Sequence, residues 1–541
     1  MITAIKSKLK INTQTCASKL VDTLVDLGVD SVFGYPGAVI LSIYNELSKT
    51  DKITHYLVRH EQAALHMAEG YARVNGKAGV VLVTSGPGFT NTITGIANAY
   101  ADSTPLVVLV GDVSSNNPNA KIFQKVDICS MVKTCAKKCY KLKQGDDIKQ
   151  VLIEAFNIAC TDKKGPVVLS LSRSFLESEF FNTKKNANKS NVQKTINKQD
   201  IEKLYKLINN AKSPLILIGG GSVNASEKVK MFAEKLKCPV VSTLMGIGIY
   251  PSESELYLGM IGMNGTYLAN SALNKCDLLI SLGSAFSDRS TCKNSDFSKK
   301  TRIVSVNIES VLQECELNII ADMNNFLDEF IKADKEITEH NNWLKQIDTI
   351  KSESYNPETK SEKLHSSFVL KTISEYTKQY EPIVVTDVGQ HQMLTAQFFN
   401  FNKPRKFITS GGMGTMGFGL PASIGCHIAN PNNLILNITG DGSFQMNLQE
   451  LATCREHNIP VKIIIMNNGY LGMVRQLQEK IYNSRYQVEM TNPDFVKIAE
   501  AYDLFAIRVT KPNELVPALD KAINHQGTAI VDIMIDSFEN I

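Results

Sequence analysis

The sequence predicts an α/β protein of three consecutive doubly wound domains, each built on a parallel sheet. Short apolar runs alternate with segments of helical apolar spacing, which is the pattern of strands covered by helices on both faces. The chain has 541 residues, more than one hydrophobic core usually holds, so about three domains are expected. Two polar stretches, 176–200 and 334–364, are interpreted as linkers and give domains at 1–180, 195–335 and 365–541.

The predicted strands are apolar runs that end in glycine or polar turn residues. They lie at 78–84 in the first domain, at 214–218, 239–243, 277–283 and 302–306 in the second, and at 434–439 and 461–466 in the third. Apolar residues recur at helical spacing over 443–460, so a helix is predicted between the last two strands. Parallel neighbours joined in this way end on one edge of the sheet.

Composition excludes several classes of function. Hydrophobic residues make up 43% of the chain and charged residues 21%, as in ordinary globular proteins. The formal net charge is +4 and the basic residues are scattered, which argues against a nucleic-acid or membrane partner. No apolar run in the sequence reaches membrane-spanning length.

Cysteine usage predicts reduced thiols in a cytoplasmic protein. The eleven cysteines are odd in number and mostly far apart. Cys129, Cys135 and Cys139 form a cluster, but no Cys or His pair follows at zinc-like spacing. Free thiols are therefore expected there rather than a metal site.

The most informative motif lies at the ends of two predicted neighbouring strands. Gly440-Asp-Gly-Ser443 follows the first strand, and Asn467-Asn468 follows the second. Glycines in such a turn let backbone N–H groups approach a diphosphate, and Asp441 supplies a carboxylate oxygen for Mg²⁺. The Asn468 amide oxygen can join the same ion because both strands end on one edge. The pattern predicts a thiamin diphosphate site; a tight turn beside an unrelated asparagine pair is the alternative.

A second segment places a carboxylate near the start of a predicted helix. Residues 58–73 have helical spacing, and Glu61 lies in their first turn, ahead of a buried strand and a glycine-rich loop at 78–91. Thiamin chemistry needs a carboxyl group on pyrimidine N1′ to favour the reactive imino tautomer. Glu61 is predicted to act there. Taken alone, it reads as a solvated glutamate stabilised by the helix dipole.

Longer motifs occur in the first and last thirds of the chain. The first third holds Phe33-Gly-Tyr-Pro-Gly37, Arg59-His-Glu61, Thr84-Ser-Gly-Pro-Gly88 and Phe123-Gln124. The last third holds Thr386-Asp-Val-Gly-Gln-His-Gln-Met393, Ser410-Gly-Gly-Met-Gly-Thr-Met-Gly-Phe-Gly-Leu-Pro421, Gly440-Asp-Gly-Ser-Phe-Gln-Met-Asn-Leu-Gln-Glu-Leu451 and Asn467-Asn-Gly-Tyr-Leu-Gly-Met-Val-Arg-Gln476. With these motifs the chain resembles, nearly end to end, the catalytic (large) subunit family of acetolactate (acetohydroxyacid) synthases.

The resemblance implies an active site shared by two chains. Family members form homodimers or dimers of dimers, with the diphosphate on the last domain of one chain. The pyrimidine then meets the glutamate on the first domain of the other chain. A small regulatory subunit is a further partner that the resemblance suggests.

Carried over residue by residue, the resemblance implies contacts to the cofactor and the metal. Gly414 offers a carbonyl to the pyrimidine amine, and Met416 keeps the cofactor bent. Tyr470 gives Mg²⁺ a backbone oxygen beside Asp441 and Asn468. Candidates for holding the diphosphate are Gly389, Gln390, His391, Gly442, Ser443 and Met473. Met416 and Met473 could equally be residues that simply fill the hydrophobic core.

Three further positions resemble the family's substrate site. Gln124 and Arg289 resemble positions near the second 2-oxo acid, and Arg289 lies after a strand, as a carboxylate-binding guanidinium does. An isolated arginine there would more simply be a surface residue. Leu477 stands where the family usually has a Trp that is associated with preferring 2-oxobutyrate, so that preference is expected to be weak.

Other departures concern FAD, which biosynthetic members hold in the central domain. The glycine motifs at 219–221, 244–246 and 262–265 survive. The residues that differ from the usual pattern are Lys164, Ser172, Arg173, Asn264, Ala285, Asn307 and Glu309. Ala285 and Lys164 stand at positions that are usually Arg, and loss of guanidinium contacts to a diphosphate weakens flavin binding. Backbone contacts from the surviving glycine motifs act in the opposite direction, so FAD binding is left open.

The two ends of the chain lead to expectations about the active-site lid and about a transit peptide. Relatives continue for some tens of residues beyond Ile541, over the active-site mouth, so a shorter lid is expected to admit a bulkier acceptor. About a dozen residues precede the first family-like segment, and a cleaved transit peptide is not expected.

The predicted function is that of a thiamin diphosphate- and Mg²⁺-dependent transferase of branched-chain amino acid biosynthesis. It would decarboxylate pyruvate and add the two-carbon unit to a second 2-oxo acid, with 2-acetolactate as the product from two pyruvates. One alternative is a related carboligase with another acceptor, such as a keto-sugar nucleotide. The other is an inactive paralogue that serves as a partner subunit. It is disfavoured because Glu61, Gly414, Met416, Asp441 and Asn468 are all present.

Overall fold

The structure, a computed structural model, contains three six-stranded parallel sheets. It describes residues 14–113, 121–182, 196–291, 301–353 and 364–541. The chain divides into two compact units. Unit 1 holds the described residues up to 182 together with Gly412–Pro431 and Asn447–Ile459, and unit 2 holds the other described residues.

The first sheet lies in unit 1. Its strands are β1 Ser31–Gly34, β2 Thr54–Leu57, β3 Gly79–Val83, β4 Leu106–Asp112, β5 Lys138–Lys141 and β6 Pro166–Ser172, in the order β2-β1-β3-β4-β6-β5. β3 and β4 are buried throughout, as expected of apolar runs in a covered parallel sheet. The helices of this segment are α1 Cys16–Asp26, α2 Leu41–Leu47, α3 Glu61–Asn75, α4 Pro87–Thr90, α5 Ile93–Ala101, α6 Ile128–Val132, α7 Ile148–Cys160 and α8 Arg173–Leu176.

The central sheet lies in unit 2. Its strands are β7 Pro214–Ile218, β8 Val240–Ser242, β9 Tyr257–Met260, β10 Leu278–Leu282, β11 Arg302–Asn307 and β12 Leu317–Ile320, in the order β12-β11-β10-β7-β8-β9. Alternate residues of β7 enter two separate cores, Ile216 and Ile218 in one and Leu215 and Leu217 in the other. Helices therefore cover both faces. They are α9 Lys198–Asn209, α10 Ser226–Leu236, α11 Tyr267–Lys275, α12 Asp288–Thr291, α13 Met323–Ala333 and α14 Asn341–Glu353.

Helix α14 corrects the interpretation of 334–364 as a linker. Trp343, Ile347 and Ile350 are buried in one of the two central cores, and the Trp343 indole donates to the carbonyl of Pro214 at 2.9 Å. Three apolar residues at helical spacing were enough to form a packed face although the surrounding sequence is polar. Residues 354–363 of that stretch, and 183–195 of the other predicted linker, lie outside the described residues.

The third sheet also lies in unit 2. Its strands are β13 Ile383–Thr386, β14 Phe407–Ile408, β15 Ile435–Gly440, β16 Lys462–Asn467, β17 Phe505–Val509 and β18 Ala529–Met534, in the order β14-β13-β15-β16-β18-β17. The remaining helices are α15 Ser366–Thr377, α16 Gln390–Phe398, α17 Gly419–Ala429, α18 Asp441–Phe444, α19 Leu451–Glu456, α20 Gly472–Tyr482, α21 Phe495–Ala501 and α22 Pro512–Asn524. The single helix predicted over 443–460 is wrong: α18, a 3₁₀ turn at Leu448–Glu450 and α19 replace it.

The first and third sheets share one topology, and the α/β prediction is confirmed. In both, the second strand along the chain lies outside the first, so the strand order reverses between β1 and β3 and between β13 and β15. In the central sheet the reversal lies between β7 and β10. In open parallel sheets, ligands bind in the crevice at such a reversal, outside the carboxyl ends of the strands.

One cysteine prediction is wrong. Cys129 and Cys139 form a disulfide, with Cα atoms 5.4 Å apart, whereas Cys135 is a free thiol. The turn between α6 and β5 returns the chain on itself and brings the two residues together, which spacing along the sequence does not reveal. Among the described residues, no helix is long and apolar enough to cross a membrane.

Candidate active site

Three strand ends of the third sheet meet at its reversal point. β13, β15 and β16 are neighbours in parallel register, with Thr386 opposite Ile438 and Gly440 opposite Met466. Asp441 follows β15 directly, and Asn468 follows β16. The strand-pairing argument drawn from the sequence is therefore confirmed for this edge.

Asp441 is a buried carboxylate whose orientation is fixed. Its side chain is almost fully enclosed, and its Oδ2 accepts the Gly469 N–H at 2.9 Å and the Asn492 amide at 2.6 Å. Burial raises the pKa of Asp441, and these hydrogen bonds oppose the rise. Both donors meet one oxygen, so they set the plane of the carboxylate.

Asn468 lies in a chain of amide contacts at the same edge. Its Oδ1 accepts the N–H of Tyr470 at 2.9 Å, and its Nδ2 lies 3.4 Å from Gln390 Oε1. The Gln390 amide in turn donates to the Glu539 carbonyl at 3.0 Å and to Gln476 at 3.2 Å. The structure thus brings together three residues that the sequence selected: Gln390, Asn468 and Tyr470.

The glycines of this edge surround the ring of His391. A Cβ at Gly389 would lie 2.8 Å from the imidazole and one at Gly440 would lie 2.9 Å from it. Burial lowers the pKa of His391 to about 3, and a hydrogen bond with the Asp387 backbone acts in the opposite direction by raising this pKa. Its Nε2 is buried and has no hydrogen-bond partner within the described part of the chain. Ser443 Oγ donates to the Val388 carbonyl at 2.9 Å and so ties α18 to the loop after β13.

These features fit a metal-bound diphosphate. An orphaned buried imidazole nitrogen and glycine turns are suited to anionic oxygens, and an anion would favour the protonated imidazole. A buried carboxylate beside an amide oxygen suits Mg²⁺. Gly442 also lies in this edge, where a Cβ would meet Leu471 at 3.0 Å.

Helix α20 begins beside the same edge. Met473 is partly buried on it, and Leu477 is 45% exposed. Arg475 is buried and donates to the Glu539 carbonyl and to the Asn540 side chain, both at 2.8 Å. This helix is therefore fixed through its arginine, while Leu477 stays accessible.

In unit 1, Glu61 is the first residue of α3. His60 caps the helix by accepting the Gln62 N–H, and Glu61 Oε2 accepts the Asn91 amide at 2.9 Å. The segment ahead of it is held by Glu450, whose Oε1 accepts the N–H groups of Arg59 and His60 at 2.9 and 3.1 Å. Burial raises the pKa of Glu450 to about 7.

Gly414 and Met416 lie in a loop of unit 1 that is anchored on both sides. Gly414 is exposed with φ +64°, a conformation that glycine adopts without strain, and Met416 is partly buried. Thr415 donates to Asn98 at 3.0 Å, and the Gly417 carbonyl accepts the Asn447 amide at 2.7 Å. The loop can therefore present the Gly414 backbone in a fixed position.

Two of the substrate candidates, Gln124 and Arg289, lie in different parts of the chain. Gln124 has φ +61° and accepts a hydrogen bond from Ser85 Oγ at 3.2 Å, in unit 1. Arg289 is exposed on α12 at the edge of the central sheet, with Nη1 3.4 Å from Met263 Sδ. The contacts of Arg289 join it to the central domain rather than to the edge that carries Asp441.

Sequence reasoning missed three residues that hold the named ones in place: Asn91, Glu450 and Asn492. Asn91 ends the glycine-rich segment 78–91 and Glu450 lies inside the motif that runs from Gly440 to Leu451, but neither residue was given a role. Asn492 lies in no motif, and only the folded chain brings it to Asp441.

Three family models of thiamine pyrophosphate enzymes match the chain: the N-terminal TPP binding domain over residues 14–131, the central domain over 201–330 and the C-terminal TPP binding domain over 387–533. The chain is 40% identical to the acetolactate synthase large subunit of Buchnera aphidicola from Acyrthosiphon pisum, over 97% of this chain and 95% of the relative. The chain belongs to the acetolactate synthase large-subunit family.

Relatives of this family are found in distant organisms. The chain is 38% identical to the acetolactate synthase isozyme 3 large subunit of Escherichia coli, over 97% of this chain and 95% of the relative. It is 39% identical to the probable large subunit of Methanocaldococcus jannaschii, over 97% of this chain and 92% of the relative. The predicted class is confirmed: a thiamin diphosphate-dependent enzyme that forms carbon–carbon bonds.

Proposed function

We propose that the protein is the catalytic subunit of an acetolactate synthase, which condenses two molecules of pyruvate to 2-acetolactate with loss of CO₂. The observation that carries the proposal is that Asp441 and Asn468 follow two neighbouring strands at the same edge of the third sheet, with Asn468 Nδ2 3.4 Å from Gln390 Oε1 and Asp441 Oδ2 held by the Gly469 N–H. The domain that contains them is the one matched as a C-terminal TPP binding domain.

The proposed metal site uses oxygen ligands of this edge. Asp441 and Asn468 would hold Mg²⁺ through their side chains, and Tyr470 through its backbone carbonyl. The candidates for the diphosphate are Gly389, Gln390, His391, Gly442, Ser443 and Met473. Bound thiamin diphosphate supplies a nucleophilic carbon and an electron sink for the decarboxylation.

The proposed work of the chain's own residues is to orient groups and to move a proton. Glu61 would exchange a proton with pyrimidine N1′, and Asn91 orients its carboxyl group by donating at 2.9 Å. The backbone of Gly414 would accept a hydrogen bond from the pyrimidine amine. Met416, two residues further along the same loop, would contact the cofactor with its apolar side chain.

The acceptor is the finer part of the proposal. Gln124 and Arg289 are the candidates for contacts to the second 2-oxo acid, and Leu477 for its side-chain pocket. The accessible Leu477 side chain, in place of a larger aromatic ring, supports a second candidate function. In that case the two-carbon unit is added to a bulkier acceptor, such as a keto-sugar nucleotide.

The remaining proposals concern assembly and the central domain. We propose a homodimer or dimer of dimers with shared active sites, a cytoplasmic location and a small regulatory subunit. The domains proposed from the sequence are 1–180, 195–335 and 365–541, and the second is extended to include α14, whose Trp343, Ile347 and Ile350 pack in one of the two central cores. Several relatives are named as large subunits, which supports the small-subunit proposal. FAD in the central domain is tested by the visible absorption spectrum of the purified protein, since bound flavin absorbs there.

Product analysis is the decisive experiment. The protein, supplied with thiamin diphosphate and Mg²⁺, is incubated with pyruvate alone and with pyruvate plus 2-oxobutyrate. 2-Acetolactate is expected in both, and acetohydroxybutyrate in the second. The Glu61→Gln variant serves as the matched control preparation. Pyruvate consumption that requires a keto-sugar nucleotide would favour the second function, and no consumption under any condition would favour a non-catalytic partner subunit.

A further inference from the structure

A short segment that is remote in sequence pairs with the loop after β16. The N–H of Met490 donates to the Gly469 carbonyl, and the N–H of Leu471 donates to the Val488 carbonyl, both at 2.8 Å. Tyr470 and Glu489 form an antiparallel bridge between the two segments. Residues 488–492 are therefore registered against the loop that carries Asn468.

This pairing places Asn492 against Asp441. The Asn492 Nδ2 donates to Asp441 Oδ2 at 2.6 Å and to Asn467 Oδ1 at 3.1 Å. The Asn492 Oδ1 accepts the Gln445 amide at 3.0 Å. Both polar atoms of the side chain are engaged, so the amide has one orientation. Gln445 also donates to the Asp441 carbonyl at 3.0 Å, which ties the network to the start of α18.

We propose that Asn492 is a positioning residue for the magnesium ligand Asp441. This inference rests on the proposed function, which makes Asp441 a ligand. A carboxylate has to present its coordinating oxygen in a set direction, and groups that hydrogen-bond a ligand set that direction. Asn492 supplies one of the hydrogen bonds that hold Asp441 Oδ2, and the Gly469 N–H supplies another.

The amide side chain of Asn492 is suited to this positioning role. An amide can donate to the carboxylate without adding a negative charge, and it leaves the net charge of the metal site unchanged. Loss of Asn492 would remove the side-chain donor to Asp441 Oδ2 and leave the carboxylate to backbone N–H groups such as that of Gly469, so its orientation would be less restricted. Mg²⁺ tolerates such rotation poorly because it demands near-octahedral geometry.

The test uses Asn492→Ala and Asn492→Leu, the second of which keeps the side-chain volume but removes the donor. Mg²⁺ is titrated calorimetrically into the full-length protein in the presence of saturating thiamin diphosphate. Both variants are expected to bind Mg²⁺ about 10–100-fold more weakly, as is common for residues that support a metal ligand. Raising the Mg²⁺ concentration should restore pyruvate turnover, which a general loss of structure would not allow.

The matched control is Asn524→Ala. Asn524 also donates to an aspartate carboxylate, that of Asp520, at 3.0 Å, but it lies at the end of α22. The Mg²⁺ affinity of the Asn524→Ala variant should equal that of the unmodified protein. If both Asn492 variants fail to fold, Gln445→Ala replaces them: it removes the amide that holds Asn492 Oδ1 and should weaken Mg²⁺ binding in the same direction.

Two outcomes separate this inference from the proposed function. Unchanged Mg²⁺ affinity in the folded Asn492 variants, with weakened affinity in Asp441→Ala, overturns the positioning role alone. Unchanged affinity in Asp441→Ala overturns the ligand assignment on which both rest. Weakened binding that high Mg²⁺ does not rescue also overturns the positioning role, because it indicates structural damage.

Discussion

The reversal points of the third and central sheets carry the same sequence signal but different chemistry. In the central sheet, the turns after β7 and β10 touch each other: a Cβ at Gly219 would overlap the Gly283 carbonyl oxygen, and the Gly221 N–H donates to that carbonyl at 3.0 Å. In the third sheet, Gly389 and Gly440 instead approach the His391 ring. A Cβ is therefore opposed at both places, by backbone contact in the central sheet and by the His391 ring in the third sheet.

The polar residues at the two edges differ in the same way. Asn307, at the end of β11, uses its amide locally: Nδ2 donates to the Ser284 carbonyl at 2.9 Å, and Oδ1 accepts the Ile308 N–H at 2.8 Å. At the third sheet, a buried carboxylate is supplied by Asp441 and an adjacent amide by Asn468. Glycine-rich strand ends occur at both edges, so the acidic and amide groups beside them decide whether a cation and its diphosphate can bind.

The largest expected effect breaks the metal site. Asp441→Ala should abolish binding of thiamin diphosphate, because the diphosphate and Mg²⁺ bind as a unit. Asn307→Ala, at the equivalent edge of the central sheet, should leave binding unchanged. Calorimetry of thiamin diphosphate with Mg²⁺ measures both. Equal affinity in Asp441→Ala and the unmodified protein would contradict the contrast drawn between the two edges.

Glu61→Gln tests the chemistry rather than the binding. We expect turnover of pyruvate to fall by roughly 10²–10⁴-fold, as for other proton-transfer groups, while thiamin diphosphate still binds to the unchanged third-sheet edge. Steady-state kinetics and calorimetry on one preparation separate the two effects. Glu456→Gln is the control, since that glutamate is exposed and pairs with Arg59 at 2.6 Å. A near-normal rate in Glu61→Gln would remove the role assigned to Glu61.

The sequence predicted the parts of the site that depend on local pattern. β15 and β16 read as apolar runs, and parallel neighbours must end on one edge, so the placement of both strand ends, which Asp441 and Asn468 follow, could be predicted from elementary geometry. Asn492 could not be predicted, because its position depends on the pairing of 488–490 with 469–471. α14 was missed for a different reason: its buried face is only three residues wide within a polar segment.

Two glycine substitutions test the difference between the central and third sheets, one through the free energy of unfolding and one through cofactor affinity. Gly219→Ala would force a Cβ against the Gly283 backbone, and overpacking of this kind costs about 1–3 kcal/mol. Urea unfolding should therefore show a lower free energy of unfolding, with unchanged affinity for thiamin diphosphate. Gly389→Ala, at φ +153° and facing His391, should instead weaken that affinity. Loss of thiamin diphosphate binding in a folded Gly219→Ala protein would show that the central edge also supports the cofactor.

The smallest effect concerns α20, which starts beside the third-sheet edge. Leu477 is 45% exposed there, and a Trp would supply a larger apolar wall for the ethyl group of 2-oxobutyrate. One methylene in such a pocket is worth about 1–3 kcal/mol. The unmodified protein should therefore discriminate little between pyruvate and 2-oxobutyrate as acceptors, and Leu477→Trp should raise the preference for 2-oxobutyrate by about tenfold, near the lower end of that range.

A competition assay with both acids present measures this preference as the ratio of acetohydroxybutyrate to acetolactate. Leu312→Trp is the matched control, because Leu312 is a fully exposed leucine that follows β11 of the central sheet. Its product ratio should equal that of the unmodified protein. A strong preference for acetohydroxybutyrate before any substitution would show that another residue forms the wall. In that case the acceptor pocket would have to be sought around Gln124 and Arg289 rather than at the start of α20.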